Sequence, residues 1–298
     1  MTCELLIEEG TPLSTFNSGK TTMQPNSLLR LPVFTPTGRV KQTIGRSSDV
    51  SALRDLEFCR AEGYEKAHIF GPKLSIETDF KVWCGIVKVF RKGYSAKGFK
   101  LTFLEFAKTC GFDSRTMNKV LRKRIDRSLT RIMSQVLTFE AESGKIGKYH
   151  LVQNAFFDPN GDTIEIIPDR SLWELYQADY KTLVGMKVIE NLPRYETASC
   201  LYLFLNALPQ NPIDLSFERL RNRLQINASV AEQNRSIREA IKKLVDIGYL
   251  KCSEVKKNGE AHLVIHSRDP KLKMGGKAPI VMDEEDEIEN TPVTIDAE

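Results

Sequence analysis

Two stretches of the chain repeat one pattern of apolar positions: a short amphipathic segment, a turn, a longer amphipathic segment, then paired alternating runs. In the first stretch Phe103, Phe106, Ala107 and Cys110 recur at helical spacing, and Gly111-Phe112-Asp113-Ser114 reads as a turn and cap. Met117, Val120, Leu121, Ile125, Leu129, Ile132 and Met133 then mark one face of a long helix. Strand-like runs follow at 137–141, 149–156 and 163–167, the last two joined by the turn Asp158-Pro159-Asn160-Gly161. In the second stretch Phe217, Leu220 and Leu224 form the short segment, and Asn227-Ala228-Ser229 the turn. Ile237, Ile241, Leu244 and Val245 form the inward face of a helix closed by Gly248. Runs at 249–255 and 262–266 flank Lys257-Asn258-Gly259, a type I′ hairpin signal.

Helix-turn-helix followed by a β-hairpin is the order of a winged helix. The two short segments align without a gap at an offset of 114: Leu101 with Leu215, Thr102 with Ser216, Phe103 with Phe217, Phe106 with Leu220 and Cys110 with Leu224. Thr102 and Ser216 are each placed to cap their short helix. The expected fold class is therefore α+β, with two tandem winged-helix domains.

The rest of the chain sets the expected boundaries. Residues 1–27 are rich in Ser, Thr, Asn, Gly and Pro without a period, and read as a mobile arm. Residues 28–34 form an apolar run that could be a strand, and 35–48, with Arg39, Lys41 and Arg46, a polar loop. Strand-like runs at 53–60 and 66–70 follow, then Asp79 as N-cap of a helix bearing Phe80, Trp83, Cys84, Val87 and Phe90 and ended by Gly93. In the second half 181–189 reads as a strand and 197–208 as a helix stopped by Pro209 and Pro212. The domains are expected at 28–176 and 177–270, with a disordered acidic tail at 271–298.

Composition narrows the classes. At 41% hydrophobic residues the 298-residue chain is not disordered throughout. Its apolar runs are too short to span a bilayer, and Met1–Glu9 lacks the basic and apolar regions of a signal peptide. The six cysteines, at 3, 59, 84, 110, 200 and 252, include no CxxC and read as free thiols in a reducing cytoplasm.

Charge is more informative than its total of +4. Residues 113–135 carry seven Lys/Arg against two Asp, and 216–243 seven against three Glu. Each second helix thus has an apolar face for its domain and a cationic face turned outward, as a major-groove recognition helix requires. In the first, Lys119 and Lys123 project opposite the apolar stripe, flanked by Arg115 and Arg122. In the second, Arg235 and Lys242 point outward with Arg238 beside them, and Lys243 adds a phosphate-neutralising charge. Gln233, Asn234 and Arg235 occupy its first turns, the end that reads base edges. Lys256, Lys257 and Asn258 at the wing tip suit phosphate or minor-groove contact. Residues 283–298 hold eight Asp/Glu and no Lys/Arg, so the remaining 282 residues carry +12. Such a tail could solubilise the chain or compete with DNA for its basic faces.

Catalytic signatures are weak. Gly93-Tyr94-Ser95-Ala96-Lys97-Gly98 has the glycines of a P-loop, but Phe99 stands where the phosphate-binding Lys belongs. His262 and His266 are too widely spaced for the metal pair of an origin nickase, and with Cys252 they fall short of a four-ligand zinc site. Four histidines without HExxH or GxSxG leave little material for catalysis. Neither an enzyme nor a bound cofactor or metal is expected.

Several blocks resemble the initiator proteins of iteron-controlled plasmids, of the RepA/RepB type found on IncFIB-like plasmids. They include Arg60-Ala61-Glu62-Gly63-Tyr64, Gly71-Pro72-Lys73-Leu74, Thr78 to Trp83, Phe103 to Gly111, His150 to Gln153, Leu175-Tyr176-Gln177 and Ile247 to Leu250. The likeness covers roughly residues 28–270. It implies a cytoplasmic protein, with no membrane partner, that binds double-stranded DNA at origin iterons and operator. Further implied are opening of AT-rich DNA, work with host DnaA and the replicative helicase, and a homodimer in equilibrium with monomer that represses its own gene. By the same resemblance the C-terminal domain makes the principal base contacts, while the N-terminal one adds contacts and the dimer surface. A winged-helix transcriptional repressor without a replication role is the alternative.

Overall fold

The structure, a computed structural model, describes residues 8–13, 15, 20–37, 46–48, 64–113, 115, 117–141 and 143–269. Strand β1 (Thr21–Pro25) and helix α1 (Asn26–Arg30) are followed by β2 (Arg46–Ser48) and β3 (Tyr64–Phe70). A π-helical turn (Ile76–Phe80) leads into α2 (Lys81–Phe90), β4 (Phe99–Thr102), α3 (Phe103–Thr109) and α4 (Lys119–Met133). Four strands come next: β5 (Val136–Ala141), β6 (Ile146–His150), β7 (Asn154–Asp158) and β8 (Thr163–Ile167). Then come α5 (Arg170–Ala178), β9 (Lys181–Gly185), α6 (Met186–Glu190), α7 (Glu196–Asn206) and β10 (Leu215–Ser216). The described chain closes with α8 (Phe217–Leu224), α9 (Val230–Asp246), β11 (Leu250–Lys257) and β12 (Glu260–Arg268). No described helix is long and apolar enough to cross a membrane.

Two units are built alike. In the first, α2, β4, α3 and α4 precede the β7–β8 hairpin, and its antiparallel sheet has the order β4-β8-β7. In the second, α7, β10, α8 and α9 precede the β11–β12 hairpin, with the corresponding order β10-β12-β11. The offset of 114 holds: Thr102 and Ser216 cap α3 and α8, which start at Phe103 and Phe217. Thr102 makes a full capping box, taking the Glu105 N–H at 3.2 Å while its own N–H donates to Glu105 Oε2 at 2.9 Å. Close contact of α2 with the end of α3 depends on Gly85, where a Cβ would lie 2.3 Å from Cys110 Sγ. Only the first unit inserts β5 and β6 before its hairpin, and these join β2 and β3 in a sheet ordered β2-β3-β5-β6.

The N-terminal expectations need correction where residues are described. Instead of a mobile arm, residues 21–25 pair antiparallel with β9, from Thr21 opposite Gly185 to Pro25 opposite Lys181. Their polar side chains read as a loop, but Thr22 and Gln24 are buried, and partners far along the chain satisfy Gln24. Gln24 Oε1 accepts from Trp83 Nε1 at 2.9 Å and Tyr176 Oη at 2.8 Å, and Gln24 Nε2 donates to Thr22 Oγ1. Residues 28–34 are not a strand: α1 takes 26–30 and the chain then turns at Pro32-Val33 before Phe34, which bridges Leu74. Asp179 sets that helix, accepting from both the N–H and the hydroxyl of Ser27. The 181–189 run stops as a strand at Gly185 and turns helical. The expected strand at 53–60 and the acidic tail at 271–298 lie outside the described residues.

Two expected caps also move. Ser75, not Asp79, caps the turn before α2, accepting from the N–H groups of Thr78 and Asp79. Asp79 is fully buried and takes Arg131 from α4 in a two-point pair at 2.5 and 3.0 Å. Its other contact is the Ser75 N–H at 2.8 Å. Asn118, rather than the 111–114 turn, caps α4 through Val120 and Leu121.

Removing one partner of a buried ion pair leaves the other charge uncompensated. Arg131→Ala should therefore lower stability by about 3–5 kcal/mol, read from urea midpoints; a change within error would mean that the pair does not hold α4 to the π-turn. Burial raises the Asp179 carboxyl above its ordinary 3.8, against the lowering effect of Ser27 and Arg30. A raised folded-state value stabilises at low pH and loses that contribution as pH climbs through it. Asp179→Asn keeps an acceptor for Ser27 but cannot titrate. Relative to wild type it should gain stability between about pH 4 and pH 7, measured by urea unfolding at each pH.

Candidate nucleic-acid interface

On α4 the buried side chains are Leu121, Ile125, Ser128, Leu129 and Ile132. That stripe turns Lys119, Lys123 and Arg127 to solvent, and all three are exposed. On α9 Ile237, Ala240 and Leu244 are buried, which turns out Arg235 and Lys242. Lys123 and Arg235 each precede a fully buried isoleucine, Ile125 and Ile237, by two residues. Each therefore sits ~160° around its helix from that isoleucine, at the same place on the two outer faces.

Other cations are committed within the fold. Arg122 pairs with Asp162 in the β7–β8 turn and lies 4.4 Å over the Phe103 ring. Arg238 pairs with Glu254 on β11 through two donors, at 3.0 and 2.7 Å, and lies 5.0 Å over Phe217. In both units an arginine of the long helix thus bridges the first residue of the short helix and a carboxylate of the hairpin. Arg124 donates to Thr78 Oγ1 at 2.6 Å. Arg115 precedes α4 and pairs with Asp113 at 2.8 Å, remaining 88% exposed.

The first turns of α9 divide between support and exposure. Gln233 Nε2 donates to the carbonyls of Ile226 and Ala228 at 2.8 and 2.9 Å, tying the helix to its preceding turn. Asn234 Oδ1 accepts from Arg221 at 2.9 Å. Arg235 is 68% exposed and pairs along its helix with Glu232, while Lys243 lies 4.7 Å over Tyr195 and near Asp246. At the wing, Asn258 and Gly259 have φ of 51° and 82°, the left-handed pair that a type I′ turn demands. Lys256 is exposed there, and Lys257 pairs with Asp214.

The two wing tips differ in sign. The second presents Lys256, with Lys257 paired to Asp214, whereas the first presents Asp158, with Asp162 paired to Arg122. Backbone N–H groups of Gly161 and Asn160 hold the Asp158 carboxyl below its ordinary range. An anionic tip repels phosphate, which favours the second unit as the one whose wing could lie on a nucleic-acid backbone.

Arg127, which is not among the cations expected at the interface, lies four residues beyond Lys123 on the same exposed face. The hairpin carboxylates that hold Arg122 and Arg238 carried no local signal. The candidate metal trio does not assemble: Cys252 stands opposite Ile265, and His266 Nε2 meets Ser253 Oγ at 3.0 Å. Among the described residues no three His, Cys, Asp or Glu side chains gather as metal ligands.

The family described as Initiator Replication protein, WH1, matches residues 81–206, from the start of α2 to the end of α7. Protein RepA of Escherichia coli is 45% identical over 255 residues, covering 84% of this chain and 88% of that protein. RepFIB replication protein A of Salmonella typhi is 40% identical over 261 residues, covering 85% and 80%. The chain belongs to this family of plasmid replication initiators. Among solved structures, domains 2 and 3 of RctB overlay the initiator at a TM-score of 0.49, with 11% identity over 81% of this chain and 98% of that one. The Pi initiator protein solved with iteron DNA overlays at 0.39, with 9% identity over 65% of this chain and 96% of that one. Overlays this loose add nothing to the family assignment. As a member, the initiator has a DNA-binding winged-helix fold.

Because Glu254 holds the Arg238 guanidinium, Glu254→Gln should release a cation beside Arg235. Non-specific duplex affinity at low salt should rise, and the salt slope should steepen by about 0.9 if one phosphate contact is gained. Titrations of random duplex across a salt series measure both. An unchanged slope would mean that Arg238 does not reach DNA.

Proposed function

We propose that this initiator binds directly repeated iterons at its plasmid origin through two tandem winged-helix domains. It then promotes opening of the adjacent DNA, acts with host DnaA to load the replicative helicase, and as a dimer represses its own gene. The observation that carries the reading is the repeated construction of the two units, each with a long helix whose outer face is cationic.

Residues 177–270 supply the principal recognition, and residues 28–176 the second DNA contact and the dimer surface. Within the second unit Arg235 and Lys242 are the strongest candidates for DNA contact, with Lys256 at the wing. Gln233, Asn234, Arg238, Lys243, Lys257 and Asn258 flank them. The protein partners of Gln233, Asn234, Arg235, Arg238, Lys243 and Lys257 mean that these side chains meet bases or phosphates only by exchanging those contacts. In the first unit Lys119 and Lys123 lead, and Arg115 and Arg122 sit beside them with carboxylate partners. The reading assigns the chain no bond-breaking step and no cofactor.

Footprinting on the DNA flanking the gene tests this. Wild-type protein should protect a run of direct repeats. Arg235→Ala should lose about 1–3 kcal/mol at the repeats if a base contact is removed, and relax specificity there. Lys242→Ala should weaken all duplexes alike and reduce the salt slope by about 0.9. Protection of an inverted repeat alone would favour a dedicated repressor, since a symmetric dimer reads a palindrome.

A further inference from the structure

The segment from Asn26 to Thr37 lies between the two units and is bonded to both. On the first-unit side the Phe34 ring packs edge-on against Phe80 at 5.0 Å, and the Thr35 N–H donates to the Leu74 carbonyl at 3.1 Å. Leu28, Leu29, Leu31, Val33 and Phe34 are all essentially buried. On the second-unit side Arg223 reaches back from α8 into this strap. Its Nε and Nη2 donate to the Leu29 carbonyl at 3.1 and 2.8 Å, and its Nη1 to the Phe34 carbonyl at 3.0 Å. Arg30 makes the reciprocal contact, placing Nε and Nη2 on the Ala207 carbonyl just past α7 at 3.0 and 2.9 Å. Both guanidiniums are buried.

The strap is pinned at further points. Thr37 donates its N–H to Glu196 at the start of α7 at 2.9 Å, and Lys73 of the first unit bonds the Gln225 carbonyl at the end of α8. Buried cations are costly unless hydrogen-bonded, so these geometries resist separation. Arg223 is unusual in its location. It lies on the short helix that supports the recognition helix, yet its donors satisfy carbonyls of a segment nearly two hundred residues earlier.

We infer that Arg223 and Arg30 are positioning residues for DNA recognition: through the strap they fix α4 and α9 in one relation and so select the spacing between the two DNA contacts. This rests on the two-domain DNA reading above. Two tethered contacts strengthen binding by about 10²–10⁴-fold only where the geometry lets both engage. A clasp that fixes the geometry therefore makes affinity depend sharply on spacing. Neither arginine needs to touch DNA.

The test uses the full chain and the origin duplex that wild type protects. It also uses the same duplex with about 5 base pairs, half a helical turn, inserted between the two contacted segments, and a duplex retaining only the second-unit segment. Wild type should bind the native duplex at least tenfold more tightly than the inserted one, as loss of joint engagement requires. Arg223→Met and Arg30→Met should each lose at least tenfold on the native duplex, discriminate less against the insertion, and match wild type on the single segment. Arg223→Lys, with one donor group in place of a fork, should fall between. Variants that keep the wild-type spacing profile would overturn the inference. So would equal losses by both Met variants on the single segment, because that assigns the arginines to folding alone. If wild type protects no origin duplex at all, the DNA reading itself has failed.

Discussion

Burial of an apolar stripe along each of two long helices is the constraint on which the rest of the structure depends. Ile125 and Ile237 are fully enclosed, and once each is fixed inward the helical repeat leaves its cationic face no place but solvent. The short helix and hairpin of each unit are the walls of that enclosure. They are joined to the long helix by the same kind of contact, an arginine between a phenylalanine and a hairpin carboxylate. Fold and interface are therefore one arrangement, in which the packing that stabilises the helix also orients its charge.

The two units are not electrically equivalent. The first neutralises Arg122, Arg124 and Arg131 with Asp162, Glu77 and Asp79 and ends its wing in carboxylates. The second pairs Arg235, Arg238 and Lys257 with Glu232, Glu254 and Asp214, and ends its wing in lysines. That difference follows from where acidic residues fall, in the π-helical turn and the hairpin of the first unit. The strap adds a mechanical link between them, since the N-terminal segment completes contacts in both units.

Local chemistry made much of this readable in advance. The caps at Thr102 and Ser216, the apolar stripes of α4 and α9, and the Asn258-Gly259 turn are all set by residues within a few positions of each other. Long-range partners made the rest opaque. Gln24 looks like a loop residue until Trp83 and Tyr176 satisfy it, and Asp79 looks like a cap until Arg131 claims it. Gln233 stands in a base-reading position of the pattern, yet its amide closes on the preceding turn. The outward face of a helix can be read from its period, but which of its charges are already paired depends on hairpins far along the chain.

The most direct measurement is replication in trans. The gene is supplied beside a plasmid that carries its flanking DNA and cannot otherwise replicate. The account predicts transformants with the wild-type gene, and few or none with the Lys123→Ala, Arg235→Ala double variant at equal protein level. No transformants with wild type, or undiminished numbers with the double variant, would contradict it.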